Sequence, residues 1–468
     1  MKQFAKKSLV LFIVLFFTAT LSAKTPKYIF YCIGDGMSFA HVMATQLFYE
    51  NGNYEDGNES LVFLDFPVRS AIRTHANNSL ITCSAAAGTA LATGHKTNLT
   101  HIGIGPDKQP LTSVAKQLRD KGYAIGIITS GQLDDATPAA FYAGQMRNDT
   151  YQIGKEGADS QFDFLAGSTL MKPFNRRDPS QPYIYDYYRQ KGYTVCRGTE
   201  GYNSKKNADK ILLVDTDTTL KKWLPYVIER EPGKLGLEFM VQAGIEKLYK
   251  KKNKKGFFMM IEGASIDHAS HPRDIATAIK ETIEFDRSVR LAYEFYKKHP
   301  DETLIIVTAD HETGGLGLGI GKYELHLKSL LKQKQSQDLL SKAITDLRKD
   351  KAGKASWNEI KDLLTEKMGF WKELPLTWEQ EKMLRDEYET SFVKNKIVFE
   401  ESLYAKTEPL AAAAKKVMSQ IAMVGWTSSS HTAGYVPVFA IGAGSGLFVG
   451  KMDNTEIPKR IAKAAGYK

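Results

Sequence analysis

Short apolar segments alternate with segments of helical periodicity along most of this 468-residue chain. A short apolar run bounded by turn residues is typical of a buried strand, and strands that alternate with helices pair in parallel. We therefore predict an α/β fold with a doubly wound, mostly parallel central sheet flanked by helices. The predicted helices are 111–121, 236–251, 275–296 and 411–423, and the predicted strands are 27–33, 123–128, 211–214, 256–261, 303–307 and, as the last strand, 436–441.

One region departs from this alternation. Residues 322–408 are charged, carry leucines at helical spacing and include Trp357, Trp371 and Trp378. This pattern predicts a helical insertion rather than further sheet.

The first 23 residues have the pattern of a secretory signal peptide. Lys2, Lys6 and Lys7 precede the apolar residues 9–17, and a small residue, Ala23, ends the segment. We expect cleavage after Ala23 and a periplasmic or secreted protein. A retained membrane anchor is disfavoured, because the apolar run is shorter than the ~20 residues that a spanning helix needs.

Composition places few further limits on function. Hydrophobic residues make up 43% of the chain and charged residues 25%, as in an ordinary globular protein. Removal of the three N-terminal lysines lowers the formal charge from +10 to +7, an excess that only weakly favours an anionic substrate. No nucleic-acid-binding motif is present. Cys32, Cys83 and Cys196 form no zinc motif, although the sequence allows one disulfide bridge between two of them.

Acidic residues and histidines follow the predicted strands or open the helices after them. In a parallel sheet these positions lie at one edge, where ligands bind. Each residue alone has an ordinary alternative, such as a turn residue, a helix cap or a loop histidine. Together they predict a metal site, since mixed His and Asp ligation suits Zn²⁺ and carboxylate with hydroxyl suits Mg²⁺. The set is Asp35, Glu262, Asp267, His271, Asp310, His311 and His431.

Ser84 lies within a run of small residues, 82–94, that continues into a predicted helix. Small residues allow close approach of an anion, and a helix N-terminus presents free N–H groups to it. Ser84 is therefore a candidate nucleophile for phosphoryl transfer. The alternative is that Ser84 only caps a tightly packed, buried helix.

These segments together resemble the alkaline phosphatase family, from Tyr28 to about Gly442, with the insertion as the weakest part. The resemblance implies an alkaline phosphatase-like catalytic domain over residues 24–468. The motifs that carry it are Ile33-Gly-Asp-Gly-Met37, Thr82-Cys-Ser-Ala-Ala86, Ala92-Thr-Gly94, Asp135-Ala-Thr-Pro138, Glu262-Gly-Ala-Ser-Ile-Asp-His268, Thr308-Ala-Asp-His311 and His431-Thr432.

The resemblance also implies a role for each matching residue. Ser84 matches the serine that attacks phosphorus and becomes phosphoserine. The ligands of a first zinc ion match Asp267, His271 and His431. The ligands of a second zinc ion match Asp35, Asp310 and His311. A magnesium ion is implied at Asp35, Thr137 and Glu262. Positions beside the substrate that tune metal and phosphate binding match Asp135 and His268.

The phosphate clamp departs from the family pattern. The residue before the nucleophile is commonly Asp, which orients an arginine that holds the phosphate, but here it is Cys83. Counting eleven residues from Thr137 without a gap reaches Asn148, whereas Arg147 is one residue short. We expect that Arg147 reaches the phosphate from an offset position or that Asn148 replaces it. An amide holds phosphate less well than a guanidinium does, so affinity would fall.

The resulting prediction is a secreted, metal-dependent phosphomonoesterase that acts on small phosphate esters without a membrane anchor. A homodimer is also an expectation, because the family is often dimeric. One alternative is another hydrolase of the superfamily that acts on diesters or sulfate esters. The sulfatase motif, with Pro and Arg after the nucleophile, is missing at Ser84. A third alternative is a non-catalytic protein that binds phosphate or zinc.

Overall fold

The computed structural model describes residues 25–52, 60–216, 223–251, 253–321 and 323–467. The predicted signal peptide, residues 1–23, lies outside the described residues. Among the described helices, none combines the length and the apolar character that crossing a membrane requires.

A ten-stranded sheet runs through the described part of the chain. Numbered along the chain, its strands are β1 Tyr28–Gly34, β2 Val68–Arg73, β3 Ala124–Thr129, β4 Phe164–Ala166, β5 Tyr193–Arg197, β6 Lys210–Val214, β7 Phe257–Gly263, β8 Thr303–Thr308, β9 Val436–Gly442 and β10 Lys451–Asp453. Across the sheet they lie in the order β10-β2-β9-β8-β1-β7-β3-β4-β6-β5. Only β9 runs against the others, since it pairs antiparallel with β8 and β2. The mostly parallel sheet is confirmed.

The prediction that 436–441 is the last strand is wrong. The strand β10 follows it in the chain and pairs with β2 at the edge of the sheet. Both β10 and β4 are three residues long, too short for a hydrophobic period to be recognised. The strand β2 carries two arginines and is only partly buried, so its sequence lacks a clear apolar run.

Both faces of the sheet are covered, as the strand β1 illustrates. Phe30 points to one face, where its ring lies 5.6 Å from that of Phe295 in the helix Ile275–Lys298. Tyr31 points to the other face and meets Phe141 edge-on at 6.0 Å. Both side chains are fully buried. Because successive strand residues point to opposite faces, a strand that is apolar throughout must lie between two layers.

The helices that cover the sheet or connect its strands include short turns as well as long elements. Their bounds are Phe39–Gly52, Ser84–Thr93, Val114–Asp120, Ala136–Ala139, Thr150–Asp159, Ile184–Gln190, Gly198–Lys205, Leu237–Tyr249, Ser265–Ser270, Ile275–Lys298, Pro409–Ile421 and Glu456–Ala464, with 3₁₀ turns at Val62–Asp65 and Ser445–Phe448. Short two-stranded pairs join His101–Ile102 to Gln145–Met146, Glu312–Thr313 to His431–Thr432, and Leu316–Leu318 to Val424–Trp426.

The region predicted as a helical insertion is largely helical. Two of its helices begin at capping boxes, at Ser356 and Thr377. In each, the cap hydroxyl accepts a hydrogen bond from the backbone N–H three residues later, and the side chain of that residue accepts one from the backbone N–H of the cap. The region ends in a short hairpin that the sequence pattern does not predict. Its elements are Leu327–Lys332, Gln337–Asp350, Trp357–Met368, Trp378–Tyr388, a π turn at Glu389–Val393, and the hairpin strands Glu400–Glu401 and Lys406–Thr407.

Four neighbouring parallel strands, β8, β1, β7 and β3, end at the same edge of the sheet. The ends of these strands and the loops and short helices after them carry most of the predicted site residues. Parallel strands bring their carboxyl ends together, so residues far apart in sequence meet here.

Candidate active site

Ser84 is the first residue of a helix in which every residue is buried. The cap position is Cys83, whose side chain makes no capping hydrogen bond. Ser84 therefore does not cap the helix, and its Oγ instead lies 3.1 Å from His311 Nε2. A hydroxyl at a helix N-terminus beside an imidazole is well placed for reaction with an anionic ester.

The imidazoles of His271, His311 and His431 each point Nε2 into one buried cluster. Nδ1 of His271 lies 2.7 Å from Ser429 O, and Nδ1 of His431 lies 2.8 Å from Thr82 O. Nδ1 of His311 lies 3.2 Å from the Thr313 hydroxyl. These oxygens fix each ring and leave Nε2 free to face the cluster, which is the arrangement found in metal-binding histidines.

Three oxygens converge on His311 Nε2. Ser84 Oγ and Asp310 Oδ2 each lie 3.1 Å from it, and Asp35 Oδ1 lies 3.5 Å away. One imidazole nitrogen carries at most one hydrogen, so it satisfies at most one of these oxygens. Asp35, Asp310 and His311 offer ligand atoms that all lie within 4.8 Å of one another, a spacing that suits one cation.

A second group gathers around Asp267. Its Oδ2 lies 3.3 Å from His271 Nε2, and its Oδ1 lies 3.8 Å from His431 Nε2. The two imidazole nitrogens are 3.1 Å apart. His311 also belongs to this group, since its ligand atom lies within 4.8 Å of those of Asp267 and His431. The two groups therefore adjoin at His311.

Among the described residues, several buried oxygens at this edge have no hydrogen-bond partner, although three of them lie near a histidine Nε2. They are Asp35 Oδ1, Asp267 Oδ2, Asp310 Oδ2 and Thr137 Oγ1. A buried polar atom without a partner is costly, and a buried carboxylate more so. Cations coordinated by these oxygens would remove that cost, so the residues present fit the metal ions that the sequence predicts.

The pKa values of these residues also reflect the burial of several carboxyls close together. Burial and the neighbouring Asp310 raise the pKa of Asp35 well above its usual range, and burial raises that of Asp310 to about 7. Burial opposes ionisation of Asp267 too, but the adjacent His271 outweighs it and lowers the pKa of Asp267. Burial and the nearby His431 lower the pKa of His311, which stays neutral and able to bind a metal.

The predicted magnesium ligands lie beside these groups. Glu262 is the penultimate residue of the strand β7 and accepts a hydrogen bond from Thr129. Burial raises the pKa of Glu262 to about 8. Thr137 lies in the short buried helix Ala136–Ala139. Burial is the main cause of the raised pKa of Asp35, and repulsion from Glu262 adds to it. A divalent cation among these oxygens would favour their ionised forms.

The two candidate clamp residues lie in different places. Arg147 Nη2 donates to Asp135 Oδ1 at 3.0 Å and to the Tyr404 hydroxyl at 2.8 Å. The side chain of Asn148 is exposed and lines a separate cavity with Phe174. Of the two residues, the structure therefore brings Arg147, and not Asn148, toward the other predicted site residues.

Two aromatic residues that the sequence analysis missed flank His268. The ring of His268 lies 4.7 Å from that of Trp223 and 4.5 Å from that of Tyr404. Burial among them lowers the pKa of His268 to about 4. Neither aromatic residue belongs to a motif or follows a predicted strand, so the sequence holds no signal that singles them out.

The cysteines are unpaired. Cys32 and Cys196 are buried, and Cys83 accepts a hydrogen bond from the backbone N–H of Thr100 at 3.3 Å. The disulfide bridge that the sequence left open is therefore not present.

Comparison with known proteins identifies the family. The family model described as alkaline phosphatase matches residues 26–165 and 200–467. The chain belongs to the alkaline phosphatase family. It is 31% identical over 442 residues to alkaline phosphatase 4 of Bacillus subtilis (strain 168). The aligned region covers 92% of this chain and 87% of the relative.

Solved alkaline phosphatases share the fold. The cold-active alkaline phosphatase of a psychrophilic Shewanella species is 26% identical and has a TM-score of 0.77, with 94% of this chain and 100% of that chain covered. A mutant alkaline phosphatase of the Antarctic bacterium TAB5, with Mg bound in its M3 site, is 21% identical and has a TM-score of 0.65 over 95% and 99% of the two chains. The chain is thus a phosphatase, and phosphate esters are its class of substrate.

Proposed function

We propose that this phosphatase hydrolyses phosphate monoesters through a phosphoserine on Ser84, with two zinc ions and one magnesium ion. The convergence of Ser84 Oγ, Asp35 Oδ1 and Asp310 Oδ2 on His311 Nε2 supports this most strongly. A serine hydroxyl is a weak nucleophile until a neighbouring group takes up its proton or its charge.

The proposed metal ligands follow the two groups in the site and the oxygens beside them. The first zinc would be held by Asp267, His271 and His431, and the second by Asp35, Asp310 and His311. The magnesium would be held by Asp35, Thr137 and Glu262. The Mg bound in the M3 site of the mutant TAB5 alkaline phosphatase is consistent with a third position of this kind. When bound, these cations would neutralise charge on the phosphoryl group and on the attacking and leaving oxygens.

The side chains of the protein supply the remaining steps. Ser84 loses its hydroxyl proton to solvent as Oγ attacks phosphorus and an Oγ–P bond forms. The ester P–O bond breaks, and the leaving oxygen takes up a proton and departs as the alcohol. Water then attacks the phosphoserine and releases inorganic phosphate and the Ser84 hydroxyl. Arg147 binds phosphate oxygens throughout, and the backbone N–H groups at the start of the Ser84 helix add further donors.

Turnover of an aryl phosphate tests this proposal. We expect wild-type protein to be active, chelator to abolish activity, and zinc with magnesium to restore it. Ser84→Ala should reduce kcat by roughly a thousand-fold or more, because the nucleophile is lost. Ser204→Ala, at an exposed serine, is the matched control and should leave kcat unchanged. Full activity of Ser84→Ala would overturn the assignment.

An aryl diester and an aryl sulfate, tested beside the monoester, separate the related hydrolases. We expect the monoester to have the highest kcat/KM. A higher kcat/KM for the diester would favour the alternative of a phosphodiesterase. Phosphate binding without any turnover would favour the non-catalytic alternative.

We also propose that the protein is exported and that its signal peptide is cleaved after Ala23. Expression of the full chain in a Gram-negative host, followed by N-terminal sequencing of the periplasmic fraction, tests this directly. The expected first residue is Lys24. Intact protein that retains Met1 and stays in the membrane or cytoplasm would contradict export.

A further inference from the structure

Tyr404 reaches the active site from the hairpin of the insertion. Its hydroxyl accepts a hydrogen bond of 2.8 Å from Arg147 Nη2. Its ring lies 4.5 Å from that of His268 and 5.2 Å from that of His271. Tyr404 therefore contacts both a candidate metal ligand and the candidate phosphate clamp, although it belongs to a part of the chain remote from every motif.

The contacts of Arg147 explain what this hydroxyl does. Nη2 carries two hydrogens, and Asp135 Oδ1 and the Tyr404 hydroxyl accept one each. Within the described residues, Nε and Nη1 donate to no protein acceptor. The guanidinium is thus fixed through one nitrogen, while its other N–H groups stay available to an anion.

The hairpin that carries Tyr404 is tied down at its base. Glu400 Oε2 lies 2.7 Å from Arg273 Nη2, and Glu400 Oε1 lies 2.8 Å from Lys415 Nζ. The buried Thr407 hydroxyl donates to Gln337 Oε1 at 2.6 Å. Because these contacts hold the hairpin in place, Tyr404 loses little conformational freedom when its hydroxyl binds Arg147. The contact therefore orients the guanidinium at small entropic cost.

We propose that Tyr404 is a positioning residue that orients Arg147 for phosphate binding, an inference that rests on the proposed function. Cys83 precedes the nucleophile and offers no carboxylate to the guanidinium. Tyr404 supplies the second acceptor on Arg147, beside Asp135. The insertion thereby completes the phosphate clamp and is more than a surface addition.

Removal of the hydroxyl alone tests the proposal. In metal-loaded Tyr404→Phe, calorimetry should show that inorganic phosphate binds roughly 5- to 20-fold more weakly, since a hydrogen bond to a charged group is lost. The kcat/KM for an aryl phosphate should fall by a similar factor. Tyr388→Phe is the matched control, because Tyr388 in the same insertion donates to Ala355 O, away from the site. Its phosphate affinity should equal that of the wild type.

A double-mutant cycle separates positioning from a merely structural role. In the background of Arg147→Ala, Tyr404→Phe should change phosphate affinity by less than about 2-fold, because the residue through which it acts is gone. An equal loss in both backgrounds, or no loss in the wild-type background, would overturn the proposal.

Calorimetry keeps this test apart from the proposed function. Wild-type protein that binds phosphate but hydrolyses no ester would contradict the proposed function, and the cycle would still decide the role of Tyr404. Wild-type protein that binds no phosphate would overturn both. Equal melting temperatures of Tyr404→Phe and wild type are expected and exclude unfolding as the cause of a loss.

Discussion

Backbone oxygens orient two of the imidazole rings in the active site. Ser429 O and Thr82 O lie on the Nδ1 atoms of His271 and His431, so both rings present Nε2 to Asp267. The motifs name the histidines, but the oxygens that orient them lie in loops without a recognisable pattern. Ring orientation is therefore a property that the structure adds.

Gly36 allows two parts of the site to approach each other. Its φ is +72°, and a Cβ there would lie 2.7 Å from Thr313 Oγ1 and 2.9 Å from Asp267 Oδ1. Gly36→Ala should therefore destabilise the protein by about 1–3 kcal/mol and weaken zinc binding. Urea unfolding and a zinc titration of the variant measure the two effects.

Gly353→Ala controls for backbone strain. Gly353 has a φ of +78°, and a Cβ at this position would have no neighbouring atom of the described residues within 4 Å. This variant should lose stability of about 1 kcal/mol but keep the zinc affinity of the wild type. Equal zinc affinity in Gly36→Ala would show that the close approach to Asp267 is unimportant.

Metal-free protein is expected to lose stability as the pH rises through neutrality. In the folded chain, burial raises the pKa of Glu262 to about 8 and that of Asp310 to about 7. In the unfolded chain these carboxyls ionise near pH 4, so between about pH 6.5 and pH 8 the folded state binds more protons. Stability then falls by up to about 1.4 kcal/mol per pH unit for each retained proton. The lowered pKa values of His311 and His431 act below this window.

Urea unfolding of chelated protein at both ends of this window measures the fall. Burial also raises the pKa of Asp134 to about 8, so carboxyls outside the site add to it. The comparison with Glu262→Gln isolates the share of Glu262, and that variant should show a smaller fall. Chelated wild-type protein whose stability rises between these pH values would contradict the assignment.

At the scale of elements, long apolar strands and long helices could be predicted from periodicity, whereas short ones could not. The strand β1 is apolar at nearly every position and was predictable within a residue. The hairpin at Glu400–Thr407 has strands of two residues, and its position depends on Arg273 and Lys415 from other elements. Such contacts are tertiary, so no local pattern encodes them.

The long helix Ile275–Lys298 is joined to the loop before the helix Leu237–Tyr249 by a buried ion pair. Arg230 Nη2 lies 2.9 Å from Glu284 Oε2, and the N–H of Leu237 donates to Glu284 Oε1 at 3.0 Å. Glu284→Ala should destabilise the protein by about 3–5 kcal/mol, because the guanidinium of Arg230 then keeps its hydrogen bond to Pro225 O but stays largely buried without its carboxylate partner. Urea unfolding measures this loss.

Asp186→Ala is the matched control for that variant. Asp186 pairs with Arg189, but both side chains are more than half exposed. Its loss should cost less than about 1 kcal/mol. A similar cost for both variants would show that burial of the Glu284 pair contributes nothing.

At the scale of the whole molecule, sheet topology determines the active site. The strands β8, β1, β7 and β3 are neighbours, so the segments after them meet although they span Asp35 to His311 in sequence. The parallel sheet and the polar strand ends could be predicted, and with them the edge at which the site lies. Partners contributed by the insertion, such as Tyr404, could not, since their approach depends on packing of the completed fold.

The central claim is that Ser84 is the nucleophile of a metal-dependent phosphatase at this edge. Mass spectrometry of protein quenched in acid during turnover of an aryl phosphate tests it most directly. We predict phosphate on the peptide that contains Ser84 in metal-loaded protein and none after chelation. Phosphate on a different residue, or turnover without phosphorylation of Ser84, would contradict the account.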